Sequence, residues 1–300
     1  MKKLFFLVLG LIFSSTSFAL DLPMPDNSNA VIGKIQLVKA GYNDVTDLSQ
    51  KFDVGFFEFV EANPGLNLEK LYPTTKLVIP TKYVLPQVPR EGVVVNIAEM
   101  RLYFYDKKKH RVLTFPVGVG KAGWVTPITK VKIVDKEVNP DWVPTRSVRA
   151  DFLAKYGYPL PRVVAPGPEN PLGDYSIRLS LPTYLIHGTI EPAGVGQRVS
   201  AGCIRMFNQS VAQLFQRVRI GMPVNIVYEP YKAGFSNGKL YLEAHQPIEG
   251  RPKMSYKAAI ERALASRPGV QVKVDWVKAK RVASLDMGIP RVIGRVIKKH

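Results

Sequence analysis

Apolar positions fall into helical and extended patterns between residues 31 and 80. Over 45–52 they recur at i, i+3 and i+7, the spacing of one helix face, and Asp44 precedes them as an N-cap. A second short helix is predicted over 56–62, and β-branched runs flank the pair of helices. The pattern therefore predicts a small strand–helix–helix–strand (βααβ) module.

From residue 93 to 246 the pattern changes to short β-branched and aromatic runs separated by Gly and Pro. Only 211–218 shows a clear helical spacing, with Asn208 as a candidate N-cap, and Ser236-Asn237-Gly238 predicts a hairpin turn between strands at 224–228 and 239–243. Many short strands with one helix predict a mainly β fold, a β-sandwich-like domain. The Pro-containing segment 81–92 is interpreted as an extended linker before it.

The first nineteen residues have the pattern of a secretory signal peptide. Lys2 and Lys3 precede a short apolar run, and small residues end at Ala19. The run is too short for a permanent membrane span. We therefore expect cleavage after Ala19 and a periplasmic location.

Basic residues are concentrated at the other end of the chain. The protein carries a formal net charge of +18, and the segment 247–300 is predicted to be a basic tail with one amphipathic helix around Ile260, capped by Ser255. Behind a signal peptide, a partner for this charge is an anionic envelope surface rather than nucleic acid. A solvated, unpartnered face remains the alternative interpretation.

Cys203 is the only cysteine, and His187 ends a predicted strand sixteen positions before it. An imidazole close to a thiol can activate it as a nucleophile, and Arg205 adds positive potential that favours the thiolate. The residues alone leave open whether Cys203 is catalytic or a small buried side chain. No metal-ligand spacing and no phosphate-binding loop are found, so neither a metal nor a cofactor is predicted.

Two segments resemble the signature of the YkuD-type L,D-transpeptidase family. They are His187-Gly188-Thr189 and Ser200-Ala201-Gly202-Cys203-Ile204-Arg205-Met206. Two positions depart from the usual pattern: Ala201 replaces a common His, and Ile128 and Thr129 follow a Thr-Pro pair where the family often has Gly. Neither departure affects the residues that match the nucleophile and the base.

The module at 31–80 resembles a LysM domain, a small fold that binds glycan chains containing N-acetylglucosamine. One departure is clear, because Gly41-Tyr42-Asn43-Asp44 stands where a Gly-Asp-Thr sequence is usual. The resemblance implies glycan binding, with a degenerate packing module as the alternative. We expect deletion of 31–80 to weaken binding to the cell wall while leaving turnover intact.

The transpeptidase resemblance implies a thioester mechanism on peptidoglycan tetrapeptide stems. Cys203 is the nucleophile and His187 the base, and the Gly188 carbonyl is our candidate for orienting the imidazole. The residues that the resemblance assigns to substrate or oxyanion contacts are Ser200, Gly202 and Arg205. Terminal D-alanine would leave, and the stem would pass to an amine acceptor.

The sequence leaves the acceptor open. A second stem would give a 3–3 crosslink, the C-terminal Lys of an outer-membrane lipoprotein would give attachment, and a free D-amino acid would give exchange. Water would make the protein a hydrolase. A wall-binding protein with an inactive catalytic domain is a further alternative.

Overall fold

The computed structural model describes residues 20–26 and 29–297. The predicted signal peptide lies outside them, and within them no helix is both long and apolar enough to cross a bilayer. The first elements are β1 (Leu20–Pro23), β2 (Val31–Gly33), β3 (Gln36–Lys39), α1 (Val45–Phe52), α2 (Phe56–Ala62), β4 (Lys76–Ile79) and β5 (Lys82–Val84).

The order strand, helix, helix, strand predicted for the N-terminal module (residues 36–79) is present. β3 and β4 pair antiparallel, and α1 and α2 lie between them in sequence. Asp44 caps α1 by accepting a hydrogen bond from the Asp47 N–H at 2.8 Å, as the local sequence predicts. The identification of this module as a LysM domain stays a prediction.

The central domain (residues 92–227) is built mainly from strands, which confirms the predicted fold class. Its elements are β6 (Gly92–Asn96), β7 (Arg101–Asp106), β8 (Arg111–Pro116), β9 (Val119–Gly120), β10 (Thr129–Val138), α3 (Arg146–Tyr156), β11 (Tyr175–Leu179), β12 (Leu185–His187), a 3₁₀ turn (Pro192–Gly194), β13 (Arg198–Ser200), β14 (Ile204–Arg205), α4 (Asn208–Arg217) and β15 (Pro223–Val227).

Among the described residues, nine strands form one sheet in the order β1-β8-β7-β6-β15-β10-β11-β12-β14. β6 pairs parallel with β15, and β12 pairs parallel with β14, while the other neighbours are antiparallel. The helix α4 contributes Val211 and Leu214 to the larger core of this domain. The predicted helix at 211–218 is thus confirmed, although α4 begins three residues earlier and ends at Arg217.

Two predicted features of the central region are wrong. The strand β15 pairs with β6 and β10 rather than with 239–243, because its buried residues need neighbours on both sides. The segment expected to be a linker at 81–92 contains β5, which pairs with β2, and both Tyr83 and Leu85 are buried.

The segment from 231 to 296, the C-terminal domain, has a sheet of its own. It contains β16 (Tyr231–Ser236), β17 (Lys239–Ala244), α5 (Tyr256–Ala265), β18 (Val272–Val274), α6 (Trp276–Leu285) and β19 (Arg291–Val296). The strands lie in the order β16-β17-β19-β18, and both helices pack on the sheet through a core that includes Leu242, Ile260 and Ile293.

The prediction of a basic tail with one helix over 247–300 is therefore wrong. The hairpin β16–β17 belongs to the same sheet as β18 and β19, so a boundary at 246 would divide a packed core. The basic side chains of residues 251–295 are exposed or half-buried, while apolar residues of the same segment, such as Ala259, Ile260 and Ile293, are buried in the core. The amphipathic helix around Ile260 is present as α5, with the predicted cap Ser255 accepting from the Ala258 N–H.

Candidate active site

The turn that carries Cys203 is held by side chains from both of its flanks. Ser200 Oγ donates to the Cys203 carbonyl at 2.6 Å and accepts from the Gly202 N–H at 3.1 Å. Thr126 Oγ1 donates to the Gly202 carbonyl at 2.7 Å. Gly202 has φ +107°, and a Cβ there would lie 2.9 Å from the Tyr184 ring, so only glycine fits this turn.

Strand pairing brings His187 to this turn. β12 and β14 run parallel, with Ile186 opposite Ile204 and His187 opposite Arg205. The Met206 N–H donates to the His187 carbonyl at 2.8 Å, which extends the pairing by one residue. Cys203 immediately precedes β14, so the predicted nucleophile and base lie at neighbouring strands and line one pocket.

The Gly188 carbonyl contacts the imidazole, as expected from the sequence. His187 Nδ1 lies 2.7 Å from Gly188 O. A carbonyl oxygen can only accept, so Nδ1 must carry the proton and Nε2 is the unprotonated nitrogen. A general base that acts through Nε2 must have this nitrogen unprotonated, and this tautomer provides it.

Asn208 holds the segment that follows His187. Its Oδ1 accepts from the Thr189 N–H at 2.7 Å. A Cβ on Gly188 or on Gly173 would lie 2.2 or 2.4 Å from this same oxygen, so both glycines leave room for it. The expectation that Asn208 caps the helix is wrong, because α4 begins at Asn208 and the capping position belongs to Phe207, with no side-chain hydrogen bond.

Burial sets the resting protonation of both candidates. Burial and, to a smaller extent, Arg205 together lower the pKa of His187 to about 4, against the opposing effect of the Gly188 hydrogen bond. Burial raises the pKa of the Cys203 thiol, against smaller lowering effects from the Leu185 backbone and Arg205. The pair therefore rests as a neutral thiol and a neutral imidazole, and the positive potential of Arg205 does not by itself produce the thiolate expected from sequence.

Arg205 is already paired. Its Nη1 donates to Glu191 Oε2 at 3.0 Å, and its side chain is 13% exposed against 72% for Glu191. The Gly202 N–H is likewise engaged by Ser200 Oγ. The residues predicted for substrate or oxyanion contacts are Ser200, Gly202 and Arg205; all three lie at the turn, and all three have partners within the protein.

The pocket has a volume of about 690 Å³ and is lined by both His187 and Cys203. One wall comes from the long connection between β10 and β11, which includes α3. Asn170 is buried and holds this connection, since its Nδ2 donates to Pro140 O at 2.8 Å and its Oδ1 accepts from the Leu172 N–H at 2.9 Å. The pocket is lined by charged residues of both signs: Lys121, Arg178, Arg205, Asp141, Asp151 and Glu191.

The one group of potential metal ligands found among the described residues lies elsewhere, at Glu99, Glu243 and His245. Lys232 Nζ lies 2.5 Å from Glu99 Oε2 and 2.9 Å from Glu243 Oε1. The ammonium group of Lys232 thus occupies the position between these two carboxylates. The cluster is a buried network of charged side chains.

Residues 90–226 match the YkuD family, the L,D-transpeptidase catalytic domain. The chain is 39% identical over 233 residues to the Probable L,D-transpeptidase YcfS of Escherichia coli, covering 75% of this chain and 72% of the relative. It is 35% identical over 292 residues to the Probable L,D-transpeptidase ErfK/SrfK of the same organism, covering 94% and 93%. The solved catalytic domain of the Enterococcus faecium L,D-transpeptidase gives a TM-score of 0.37 at 20% identity, over 47% of this chain and all of that chain.

The match to the family and the identity with these relatives define an enzyme of the L,D-transpeptidase class. The chain belongs to the L,D-transpeptidase family. The resemblance read from the two motifs is thereby confirmed, and the similarity to ErfK/SrfK extends into the C-terminal domain.

Proposed function

We propose that the protein is a cysteine L,D-transpeptidase, an acyltransferase that acts on peptidoglycan tetrapeptide stems. The observation that carries this proposal is the 2.7 Å contact of His187 Nδ1 with Gly188 O, which leaves Nε2 as a base in the pocket that Cys203 also lines. A thiol, a correctly protonated imidazole and a pocket that both of them line are the components of acyl transfer.

In the proposed reaction Cys203 Sγ attacks the carbonyl of the diaminopimelate residue at position three. His187 Nε2 takes the thiol proton and returns it to the amine of the leaving D-alanine, so that a thioester forms as the peptide bond breaks. An acceptor amine then attacks the thioester and loses its proton to His187, and Cys203 recovers that proton as the thiol. Each proton removed by the base is therefore returned within the same half-reaction.

The neutral resting pair fits this sequence of steps. A thiol with a raised pKa is inert until a substrate carbonyl arrives, and the unprotonated His187 can then accept its proton. We assign the oxyanion contact to the Cys203 N–H, because the Gly202 N–H has Ser200 Oγ as its partner. Arg205 would bind a substrate carboxylate by releasing the exposed Glu191 and pairing with the substrate instead.

The proposed partners follow from the chemistry of the acceptor. The amine of a second stem would give a 3–3 crosslink, and the terminal Lys of an outer-membrane lipoprotein would give covalent attachment. Both acceptors belong to the periplasm, the location proposed from the signal-like residues 1–19. No cofactor enters any of these steps.

Product masses from purified muropeptides test the proposal. The full-length mature protein should release D-alanine from tetrapeptide stems and form crosslinked dimers, whereas Cys203→Ala should form neither. Ser200→Ala is a useful comparison, since it removes the hydroxyl that hydrogen-bonds the Cys203 carbonyl but keeps the nucleophile. Tripeptides without dimers would indicate a hydrolase, and no release by the wild type would support the inactive wall-binding alternative.

A carbapenem offers a second probe of the same nucleophile. Its strained β-lactam carbonyl would occupy the acyl-donor position, and intact-mass analysis should show one adduct per chain. The adduct should be absent in Cys203→Ala. An adduct that survives this substitution would contradict the assignment of Cys203.

We also propose that the N-terminal module binds glycan. A cavity of about 270 Å³ lies between the turn 41–44 and residues 68–73, and Tyr42 beside it is 98% exposed. An exposed aromatic ring at a small groove suits stacking on a sugar. Tyr42→Ala should weaken pelleting with sacculi, while Leu37→Ala, at a residue that is also exposed but lies outside the cavity, should not. Equal pelleting of both variants would favour a degenerate module.

The basic surface of the C-terminal domain supports the proposed contact with an anionic envelope surface. A groove of about 880 Å³ is lined by Lys82, Lys278, Arg281 and Arg291, and its one acidic residue, Asp275, caps α6. Charge reversal is a better test than truncation here, because truncation would divide the core. Arg281→Glu should reduce sedimentation with phosphatidylglycerol vesicles at low salt, with the difference shrinking as salt rises. Unchanged binding would refute this contact.

A further inference from the structure

The N-terminal module contacts the loop that leads to the nucleophile. This active-site loop, residues 191–200, ends at Ser200, three residues before Cys203. The first two N–H groups of α2 donate into it, Phe56 N to Val195 O at 3.3 Å and Phe57 N to Gly196 O at 3.2 Å. The unpaired donors at the start of the helix are thus satisfied by the loop rather than by water.

Two glycines make this contact a backbone-to-backbone one. A Cβ on Gly55 would lie 2.8 Å from Gly196 Cα, and a Cβ on Gly196 would lie 2.3 Å from Gly55 Cα. Gly55 itself has φ −76°, an ordinary value for any residue. Glycine at position 55 is therefore required by the close approach of the loop and not by its own backbone conformation.

The active-site loop carries groups that fix the catalytic turn. Glu191 pairs with Arg205, and Ser200 Oγ bonds both the Gly202 N–H and the Cys203 carbonyl. On its other side the loop pairs with β9. Movement of the loop away from β9 or from the module would thus move the groups on both sides of Cys203.

A second contact joins the module to the histidine side of the site. Ser210 Oγ on α4 donates to Asp53 Oδ1 at 3.2 Å, and both residues are buried. The same helix begins with Asn208, whose Oδ1 holds the Thr189 N–H next to Gly188. The turn between α1 and α2 therefore touches the supports of both catalytic residues.

The module itself is anchored where it makes these contacts. Glu58 and Arg101 form a buried ion pair at 2.8 Å, and Arg101 Nη2 donates to Asp53 O at 2.8 Å. Phe57 packs against the core of the central domain. This anchoring means that the 53–58 turn has one fixed position relative to the central sheet.

We propose that the N-terminal module is a positioning element of the active site, acting on the Cys203 turn through Gly55 and Gly196 and on the His187 segment through Asp53 and Ser210. The inference rests on the proposed transpeptidase function. It reverses the expectation that 31–80 can be deleted without loss of turnover. Wall binding and catalysis would then depend on one docked module.

Gly55→Ala in the full chain tests the loop contact. The added methyl group must displace the loop by several tenths of an ångström, and such misplacement lowers kcat on the order of 10-fold or more with little change in KM. Gly65→Ala is the matched control: it lies in the same module, at φ +83°, with no atom within 4 Å of its Cβ. It strains the module without touching the loop.

Carbapenem acylation separates positioning from folding. The amplitude of the adduct reports the folded fraction, and its rate reports the geometry at Cys203. We expect full amplitude and a slower rate in Gly55→Ala, with wild-type values in Gly65→Ala. A fall in amplitude alone, or equal kcat in both variants, would overturn the proposal.

Ser210→Ala provides a second variant that introduces no clash. It should lower kcat several-fold at constant KM by releasing α4 from Asp53. An unchanged kcat would refute the positioning role of the Asp53–Ser210 contact. If the wild type releases no D-alanine, the proposed function itself fails, whereas an active wild type with active Gly55→Ala and Ser210→Ala variants refutes only the positioning role.

Discussion

His245 lies in the buried network where the N-terminal module, the central domain and the C-terminal domain meet. Its Nδ1 is 2.8 Å from Glu61 Oε2, and its Nε2 is 2.8 Å from Glu243 Oε1 and 3.8 Å from Glu99 Oε2. Burial alone would lower the pKa of His245, but Glu61 and Glu243 outweigh it and raise this pKa to about 10. Lys232 is the other cation facing these carboxylates.

The raised pKa makes stability depend on pH in a defined window. Below the ordinary histidine value of 6.5 both folded and unfolded chains carry the proton, and the stabilisation is fully present. As pH rises from 6.5 to about 10 only the folded chain holds the proton, so the stabilisation is lost. At about 1.4 kcal/mol per pKa unit, the loss amounts to roughly 5 kcal/mol.

Urea unfolding of the mature protein between pH 6 and 10 measures this loss. The wild type should lose stability across the window, and His245→Gln should show a much flatter profile while being less stable at pH 6.5. His110→Asn is the control, because His110 is exposed in a turn at φ +55° that Asn also adopts. Parallel pH profiles for the wild type and His245→Gln would refute the assigned protonation.

Substitutions at three further positions test side chains that have partners inside the protein. Asn208→Ala leaves the Thr189 N–H without its acceptor and should lower kcat about 10-fold or more at similar KM. The free energy of unfolding, measured in urea, should fall by about 1–3 kcal/mol. Asn208→Asp keeps an acceptor and should retain more activity. Burial raises the pKa of Asp53 to about 7, so wild-type stability should fall between pH 4 and 7, and Asp53→Asn should lack that fall when followed by urea unfolding. Lys232→Met leaves Glu99 and Glu243 without the lysine cation and should lower the free energy of unfolding by about 3–5 kcal/mol at pH 7. An unchanged urea midpoint would contradict the ion pairing.

The parts of the fold that the sequence predicts well are those decided locally. Asp44 caps α1, and Ser255 caps α5, because a capping side chain and the N–H that donates to it lie within three residues of each other. The Cys203 turn is likewise contained in one short segment. Periodicity and capping are properties of neighbouring residues, so a single sequence displays them.

The parts that it predicts poorly depend on distant pairing. β15 pairs with β6, which lies some 130 residues earlier, and β19 pairs with β17 across two helices. The C-terminal segment also has many charged residues, and these obscure the inward-facing positions such as Ile293 that form its core. The prediction of Asn208 as a cap fails for the same reason, since its acceptor role depends on the Thr189 N–H, which lies 19 residues away in the segment that follows β12.

Helix α2 explains why this enzyme cannot be divided into independent parts. Its start donates to the active-site loop at Val195, Glu58 in its middle pairs with Arg101 of the central sheet, and Glu61 near its end contacts His245 of the C-terminal domain. Removing the module would therefore take away the carboxylate partner of buried Arg101 and one of the two close carboxylates of buried His245, in addition to the loop contact. Such a deletion would lower stability and turnover together, so point substitutions at α2 are the way to separate wall binding from catalysis.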